Sequence, residues 1–426
     1  MKTRNKRSRL TYLCVALFLL VYFARPEDWV PHLNLPVAKV TGLLVMAAFV
    51  WAGRIPRRWP REGRFLILLL AQLFLAIAFS TVWKGGAFQR TLDFLKVVPV
   101  IYLIMVWALN TMPRLRSVIF LQVACVTVVS AVTVWKQYSF HGRLLGFLGG
   151  NYGNPNDLAT QVAICLPLCI AFLIQARYVI WKLAWGVVIS LLTYVIFLTG
   201  SRGGFLAWTI VLAGCVWDFA VKGRNRFLLV FAVGGFIFLS LFGGQLFQRF
   251  SALSNGQQDP AAFASAEVRR DVLWKSLVLT ANHPFFGVGP GNFQVLSGSW
   301  HGTHNSYTEM SVEGGVPALL LYLIVWWRAF FYVRVVKRFR NGRSEHRVWA
   351  KALMGSLLAL LVASFFANYA FQYFTYFVIA YTSALFQIAQ KEKARAKLAS
   401  RVNQAFVSDG ELQQGWPESG PAWSSI

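Results

Sequence analysis

Charged residues are scarce in this 426-residue chain, and acidic residues are the scarcest of them. Asp, Glu, Lys and Arg together make up 14% of the sequence, with 16 acidic residues against 42 basic ones. Hydrophobic residues make up 57%, and the mean hydropathy is +0.52. A soluble protein of this length cannot keep so much apolar surface from water. The composition therefore excludes a soluble globular protein and predicts an integral membrane protein.

Cysteine is also rare, and its placement argues against a disulfide framework or a zinc site. All five cysteines fall inside apolar segments, where packing is the ordinary role; they are Cys14, Cys125, Cys165, Cys169 and Cys215. The sequence contains no Walker phosphate loop, no GxSxG elbow and no HExxH motif. The adjacent Glu27 and Asp28 have no partner motif, and we interpret them as an interfacial cap. We expect neither a metal ion nor another cofactor.

The net charge of +26 raises the question of a nucleic-acid partner. The basic residues, however, fall in short clusters between apolar runs of membrane-spanning length, such as KTRNKRSR, GRIPRRWPREGR and RVVKRFRNGRSEHR. Such clusters are typical of cytoplasmic loops. They predict a multi-pass protein among membrane lipids, with both termini cytoplasmic and no nucleic acid bound.

Twelve apolar runs approach the length of about 20 residues that a spanning helix needs. They are residues 10–24, 35–52, 65–83, 95–109, 118–135, 158–176, 181–199, 204–220, 227–243, 316–336, 352–368 and 373–389. The first run resembles a signal peptide, but no convincing cleavage site follows, so we interpret it as an uncleaved helix. The predicted fold class is all-α, a polytopic membrane bundle of about 12 transmembrane helices with one large periplasmic loop.

This interpretation divides the chain into four segments. Residues 1–243 contain helices 1 to 9, and residues 244–315 form the large loop, which is partly helical. Residues 316–390 contain helices 10 to 12, and residues 391–426 form a disordered cytoplasmic tail. Within the loop, the pattern of apolar residues over 265–282 predicts an amphipathic helix with one apolar face, made of Val268, Val272, Leu273, Leu277 and Leu279.

Arg202 is the first candidate functional residue, in the sequence TGSRGGF between two apolar runs. An arginine at the edge of hydrocarbon is costly unless it meets an anion or water. Gly200, Gly203 and Gly204 permit a sharp turn and a close ligand approach. Two interpretations stay open, a cation that binds phosphate and an interfacial arginine that reaches toward lipid headgroups.

His304 is the candidate general base, because an imidazole titrates near neutrality and can take a proton from a sugar hydroxyl. His301 and His283 compete for this role, and spacing does not choose among them. Arg269 and Arg270 lie near the start of the amphipathic helix. Arg143 and Lys275 are predicted to lie on the same side of the membrane as these two arginines. The alternative interpretation of Arg269 and Arg270 is a solvated helix face. A surface with many cations and few carboxylates suits a pyrophosphate ligand.

Several segments resemble the O-antigen ligase and polymerase superfamily. They are RPEDWVPHLNLP, GNPNDLATQVAICLPL, FLTGSRGGFLAW, EVRRDVLWKSLVLTANHPFFGVGPGNF and HNSYTEMSVEGGVPALLLYL, in that order. The resemblance maps the family's essential histidine onto His304, the arginine of the SRGG turn onto Arg202, and the loop arginine onto Arg270, with Arg269 as its alternative.

The resemblance implies a metal-independent, inverting glycosyltransferase of a bacterial inner membrane. It implies an undecaprenyl pyrophosphate-linked glycan as donor and lipid A-core or another glycan as acceptor. Arg202, Arg270 and Arg269 would bind the pyrophosphate, and His304 would be catalytic.

The alternatives are a polysaccharide polymerase of the same superfamily, a protein O-oligosaccharyltransferase, a transporter and a non-catalytic scaffold. Against a transporter, the apolar runs are almost free of charge and no internal repeat occurs.

Overall fold

The computed structural model describes residues 2–29, 37–53, 60–140, 142–146, 152–221, 244, 260–299, 301–339 and 344–414. Its first half contains α1 (Lys2–Ala24), α2 (Pro26–Trp29), α3 (Val37–Trp51), α4 (Arg61–Ala78), α5 (Lys84–Leu95), a π-helix (Val97–Ile104), α6 (Met105–Ala108) and α7 (Met112–Lys136). A hairpin of β1 (Ser139–Phe140) and β2 (Arg143–Leu144) follows, then α8 (Pro155–Gln175), α9 (Val179–Thr199), α10 (Arg202–Cys215) and a π-helix (Val216–Val221). The second half contains α11 (Pro260–Asn282), α12 (Phe293–Leu296), α13 (Ser306–Lys337), α14 (Ser344–Ala363) and α15 (Tyr373–Gln414).

These helices confirm an all-α polytopic membrane protein. Seven described helical segments are long and apolar enough to cross a membrane, and α3 is a shorter apolar helix. The predicted run at 227–243 lies outside the described residues, so the count of twelve helices stays a prediction. The predicted loop helix at 265–282 corresponds to α11, which begins at Pro260 and ends at Asn282.

Helix α8 lies at the centre of the bundle, and 83% of its most apolar stretch is buried. It begins where Asn154 accepts a hydrogen bond from the backbone N–H of Asn156, with proline at the first helical position. It packs against α7, α9, α10 and α14. The approach to α14 is close, since a Cβ on Gly355 would lie 2.8 Å from Cβ of Pro167. The helices around α8 therefore converge with little freedom to shift.

Helix α13 is broken at Gly315, where φ is +83°. The segment after α11 crosses this break: Val288 N–H donates to the Val312 carbonyl at 2.7 Å, and Val316 N–H donates to the Pro284 carbonyl at 2.7 Å. The break in α13 thus leaves backbone N–H and carbonyl groups without partners inside the helix. The Gly-rich segment forms hydrogen bonds with these groups, as buried backbone requires. As a result, the C-terminal end of α11 is fixed against α13.

The structure corrects three details of the sequence interpretation. The predicted disordered tail 391–426 is helical as far as Gln414, because its Ala, Lys, Glu and Arg residues favour continuation of α15. The predicted outside loop after α7 contains the β1–β2 hairpin. On α11, Val272 is buried and Leu279 partly buried, whereas the other three residues of the predicted apolar face, Val268, Leu273 and Leu277, are exposed.

Buried charge is more frequent than the sequence predicted. Glu62 is fully buried and accepts from Arg328 at 3.3 Å. Glu309 is buried and accepts from Arg90 at 2.9 Å. Both carboxylates lie in the first turn of their helices, where the helix dipole favours an anion. The charges are therefore ion-paired near helix ends, and buried charge by itself no longer argues against a transporter.

Candidate functional site

The ends of several helices meet at one side of the bundle and enclose a cavity of about 400 Å³. This volume is in the range of about 300–1,000 Å³ that is usual for small-ligand sites. The cavity is lined by Arg202, Leu206, Ala266, Arg269, Arg270, Leu273, Thr303, His304, Asn305, Phe365 and Phe366. The four residues predicted from sequence, which lie as far apart as positions 202 and 304, are thus brought into one cavity.

The SRGG turn places Arg202 at the start of α10. Gly200 ends α9 with φ of +55°, and Ser201 caps α10 by accepting from Gly204 N–H at 3.1 Å. A Cβ on Gly203 would lie 2.8 Å from Cβ of Phe366, and a Cβ on Gly204 would lie 2.4 Å from Cβ of Ala159. The two glycines therefore permit close packing against protein, where the sequence predicted room for a ligand.

A polar network lies behind Arg202 and is built from the NPND sequence. Asn156 Oδ1 accepts from Ser201 Oγ at 2.8 Å and from Arg143 Nη2 at 3.1 Å. Arg143 Nε also donates to the Thr199 carbonyl at 2.9 Å. Arg143, predicted to be one of the gathered cations, thus joins the hairpin to the ends of α8 and α9. These bonds hold the turn that carries Arg202.

His304 lies just before α13 in a left-handed backbone conformation, with φ of +49°. A non-glycine residue adopts this conformation at a cost and keeps it only where the surroundings fix it. Thr303 Oγ1 donates to Asn368 Oδ1 at 3.0 Å, and Asn305 Oδ1 accepts from the backbone N–H groups of Tyr307 and Thr308. The residues on both sides of His304 are therefore anchored, and the imidazole is directed by a constrained backbone.

Of the three competing histidines, His304 lines the cavity. The His301 ring is exposed, with its centroid 6.3 Å from that of His304, and His283 follows the end of α11 away from the cavity. Burial, then the charge of Arg269, then His301 lower the pKa of His304 to about 4. The imidazole is consequently neutral at physiological pH and free to accept a proton.

The two adjacent arginines of α11 differ in their surroundings. Arg269 is half-buried, whereas Arg270 is exposed, although both line the cavity. Burial and the nearby charge of Arg202 lower the pKa of Arg269. Two guanidinium groups that disfavour each other in this way form a site that an anion stabilises. The family resemblance pointed to Arg270 first; both arginines line the cavity, and the charge of Arg269 is the one that acts on the pKa of His304.

Lys275, also among the predicted cations, pairs with Asp271 at 2.8 Å on the exposed side of α11. Glu27 and Asp28 both pair with Arg25, at 3.6 and 2.5 Å. These charges are engaged in local ion pairs. Among the described residues that line the cavity, the ionisable groups are three arginines and one histidine.

Sequence reasoning missed the aromatic wall of the cavity. Residues 352–368 were predicted as one span, but α14 ends at Ala363, and the following residues return to the site as a loop. We call residues 364–372 the return loop. It supplies Phe365 and Phe366, whose apolar character made them indistinguishable from membrane-facing residues. The polar residue Asn368 was the available signal that the span ends earlier.

Comparison with known proteins bears on the same residues. Positions 185–323 match the family model described as O-antigen ligase. That segment of the chain is similar to O-antigen ligases. The match confirms the resemblance seen in the sequence motifs, and it includes Arg202, Arg269, Arg270 and His304. The chain is also 24% identical to the teichuronic acid biosynthesis protein TuaE of Bacillus subtilis (strain 168) over 347 residues, which cover 76% of this chain and 67% of the relative.

The matched region contains all the lining residues of the cavity except those of the return loop. Its N-terminal part supplies the arginine of the SRGG turn, its middle part supplies α11, and its C-terminal part supplies His304 and the broken helix α13. Phe365 and Phe366 of the return loop complete the cavity from outside the matched region. The chain is therefore a multi-pass membrane protein with a region that is similar to O-antigen ligases.

Proposed function

We propose that this protein is a glycosyltransferase of the O-antigen ligase type. It moves a glycan from an undecaprenyl pyrophosphate carrier to an acceptor hydroxyl, lipid A-core in the first instance, at the periplasmic face of a bacterial inner membrane. The carrying observation is that a neutral histidine and three arginines line one cavity. In this proposal the transfer needs no metal ion, since guanidinium groups supply the positive charge that a departing pyrophosphate requires.

The reaction is a single displacement at the anomeric carbon of the donor sugar. His304 accepts the proton of the acceptor hydroxyl, and the acceptor oxygen forms a bond to the anomeric carbon. The bond from that carbon to the pyrophosphate oxygen breaks, and the lipid pyrophosphate leaves with the electron pair. Attack from the face opposite the leaving group inverts the anomeric configuration. Arg202, Arg269 and Arg270 stabilise the leaving pyrophosphate.

The electrostatics favour a donor-first order. A bound pyrophosphate offsets the mutual repulsion of Arg202 and Arg269. It also cancels the Arg269 charge that helps to lower the pKa of His304. Donor binding therefore raises the pKa of His304 and makes the imidazole a better base for the acceptor that follows.

The second candidate is a polymerase that adds glycan to another lipid-linked glycan, and the match to a protein named for teichuronic acid biosynthesis is consistent with it. The donor and the chemistry at His304 are the same for both candidates, and only the acceptor differs. A transporter has less support, because neither the matched family model nor the matched relative points to one, whereas the matched region contains Arg202, Arg269, Arg270 and His304 of the cavity.

The test is transfer of lipid-linked glycan in proteoliposomes without divalent metal. The variants are His304→Ala and Arg202→Ala, with His283→Ala and Lys275→Ala as matched controls outside the cavity. We expect both cavity variants to lose at least a hundredfold in rate, as removal of a general base or an oxyanion partner does by roughly 10²–10⁴. Both controls should transfer normally.

The products distinguish the candidates. Glycan on lipid A-core supports a ligase, and a ladder on the carrier lipid supports a polymerase. If His304→Ala and Arg202→Ala transfer as well as the wild type, the catalytic assignment is wrong.

A further inference from the structure

An aromatic ring forms part of the cavity wall close to His304. Phe365 belongs to the return loop and lines the cavity together with Thr303, His304 and Asn305. Its side chain is 52% exposed although it sits among these polar residues. Phe365 follows the end of α14 at Ala363, so this exposed ring belongs to the cavity lining and not to the described part of a membrane-spanning helix.

The ring is held in place by the start of α13. Its centroid lies 4.6 Å from that of Tyr307, and Tyr307 OH donates to the Leu361 carbonyl at 2.9 Å. The backbone of the return loop is also fixed, because Ser306 N–H donates to the Ser364 carbonyl at 2.8 Å. Phe365 therefore lines the cavity while its ring also packs against Tyr307.

The neighbouring Phe366 has a different role. It packs against the SRGG turn, where a Cβ on Gly203 would lie 2.8 Å from its own Cβ. Phe366 thus closes the cavity wall by packing against α10. Phe365 is the aromatic side chain of this pair whose face is open to a ligand.

The cavity has two chemically distinct walls. Helices α10 and α11 supply the three arginines. The segment before α13 supplies His304, and the return loop after α14 supplies Phe365. A pyrophosphate belongs at the arginines by charge. The hydroxyl that gives its proton to His304 belongs beside this imidazole, next to the segment that begins α13, and the ring of Phe365 is in contact with Tyr307 of that helix.

We propose that Phe365 is the platform for the acceptor sugar, and that the acceptor is therefore a glycan. The inference rests on the proposed function. A pyranose ring presents C–H groups on its flat face, and these carry partial positive charge that the negative face of an aromatic ring attracts. A sugar stacked on Phe365 has its hydroxyls at its rim, where His304 can take a proton. Acceptors whose hydroxyl sits on a protein side chain lack such a flat face and do not use this wall.

The test compares Phe365→Leu, which keeps apolar volume but removes the ring, with Phe365→Trp, which keeps an aromatic face. The matched control is Phe285→Leu, the same change at a ring that is 70% exposed and outside the cavity lining. Transfer is measured in proteoliposomes with the acceptor and donor lipids varied separately. Binding of methyl glycosides of common hexoses to the purified protein is measured by saturation-transfer NMR.

We expect Phe365→Leu to raise KM for the acceptor roughly tenfold, the size of one aromatic stacking contact. KM for the donor should not change, Phe365→Trp should restore transfer, and Phe285→Leu should match the wild type. Methyl glycosides should bind the wild type and Phe365→Trp but lose their signal in Phe365→Leu.

Three results would overturn the inference. Unchanged kinetics in Phe365→Leu would mean that the ring only faces lipid. A rise confined to KM for the donor would mean that the ring covers the prenyl chain. Glycoside binding that is independent of the ring would exclude a platform. If the wild type transfers no glycan, the proposed function fails by itself, and the glycoside signal still decides whether Phe365 binds a sugar.

Discussion

The pKa of His304 gives the sharpest test of the site's electrostatics, because its causes can be separated by substitution. Burial, the charge of Arg269 and the neighbouring His301 lower this pKa from the ordinary 6.5 to about 4, in that order of size. Since burial is the larger cause, Arg269→Gln should raise the pKa of His304 but leave it below its ordinary value.

The sign follows from the protonation state that each charge favours. A nearby guanidinium disfavours the imidazolium, so removing it lets His304 bind a proton at higher pH. The acid limb of kcat/KM, which reports the free enzyme, should move to higher pH in Arg269→Gln. Arg270→Gln is the matched control, since Arg270 is not among the causes of the lowered pKa of His304.

The assay is the rate of diethyl pyrocarbonate modification at His304, resolved by peptide mass spectrometry as a function of pH. Only the neutral imidazole reacts, so the midpoint of the rate gives the pKa directly. We expect the midpoint near pH 4 in the wild type and in Arg270→Gln, and a higher midpoint in Arg269→Gln. Equal midpoints in all three proteins would refute the assignment of Arg269 as the arginine that acts on His304.

Three further predictions concern the framework of the site. Gly315→Ala should lower the thermal unfolding midpoint in detergent, because φ of +83° and a Cβ only 2.4 Å from a backbone oxygen cost on the order of 1–3 kcal/mol; Gly214→Ala, with open space around its Cβ, should not. Arg90→Gln should destabilise the protein by roughly 3 kcal/mol because it leaves the Glu309 carboxylate buried and unpaired, and the double variant with Glu309→Gln should recover part of this loss; additive effects in denaturant titrations would contradict the pairing. Tyr369→Phe removes a hydroxyl that forms hydrogen bonds with Thr160 and with the Asn156 carbonyl of α8. It should lower the free energy of unfolding by about 1 kcal/mol in the same titrations, and an unchanged free energy would contradict these bonds.

The sequence by itself was sufficient for the membrane class, and it named the residues that the structure brings into one cavity. Apolar runs of spanning length and basic clusters between them depend only on local composition, because lipid selects for them one segment at a time. The residue types Arg202, Arg269, Arg270 and His304 were also recognisable locally, since charge next to hydrocarbon is costly and therefore informative.

The tertiary structure was needed for everything that depends on which segments meet. It decided that His304, rather than His301 or His283, lines the cavity, and that Arg269 is half-buried there whereas Arg270 is exposed. It also ended α14 at Ala363 and turned Phe365 toward the site. An apolar residue gives the same local signal whether it contacts lipid, protein or a sugar. Only the packing of distant helix ends, through hydrogen bonds such as Ser306 to Ser364 and close contacts such as Gly203 to Phe366, distinguishes these cases.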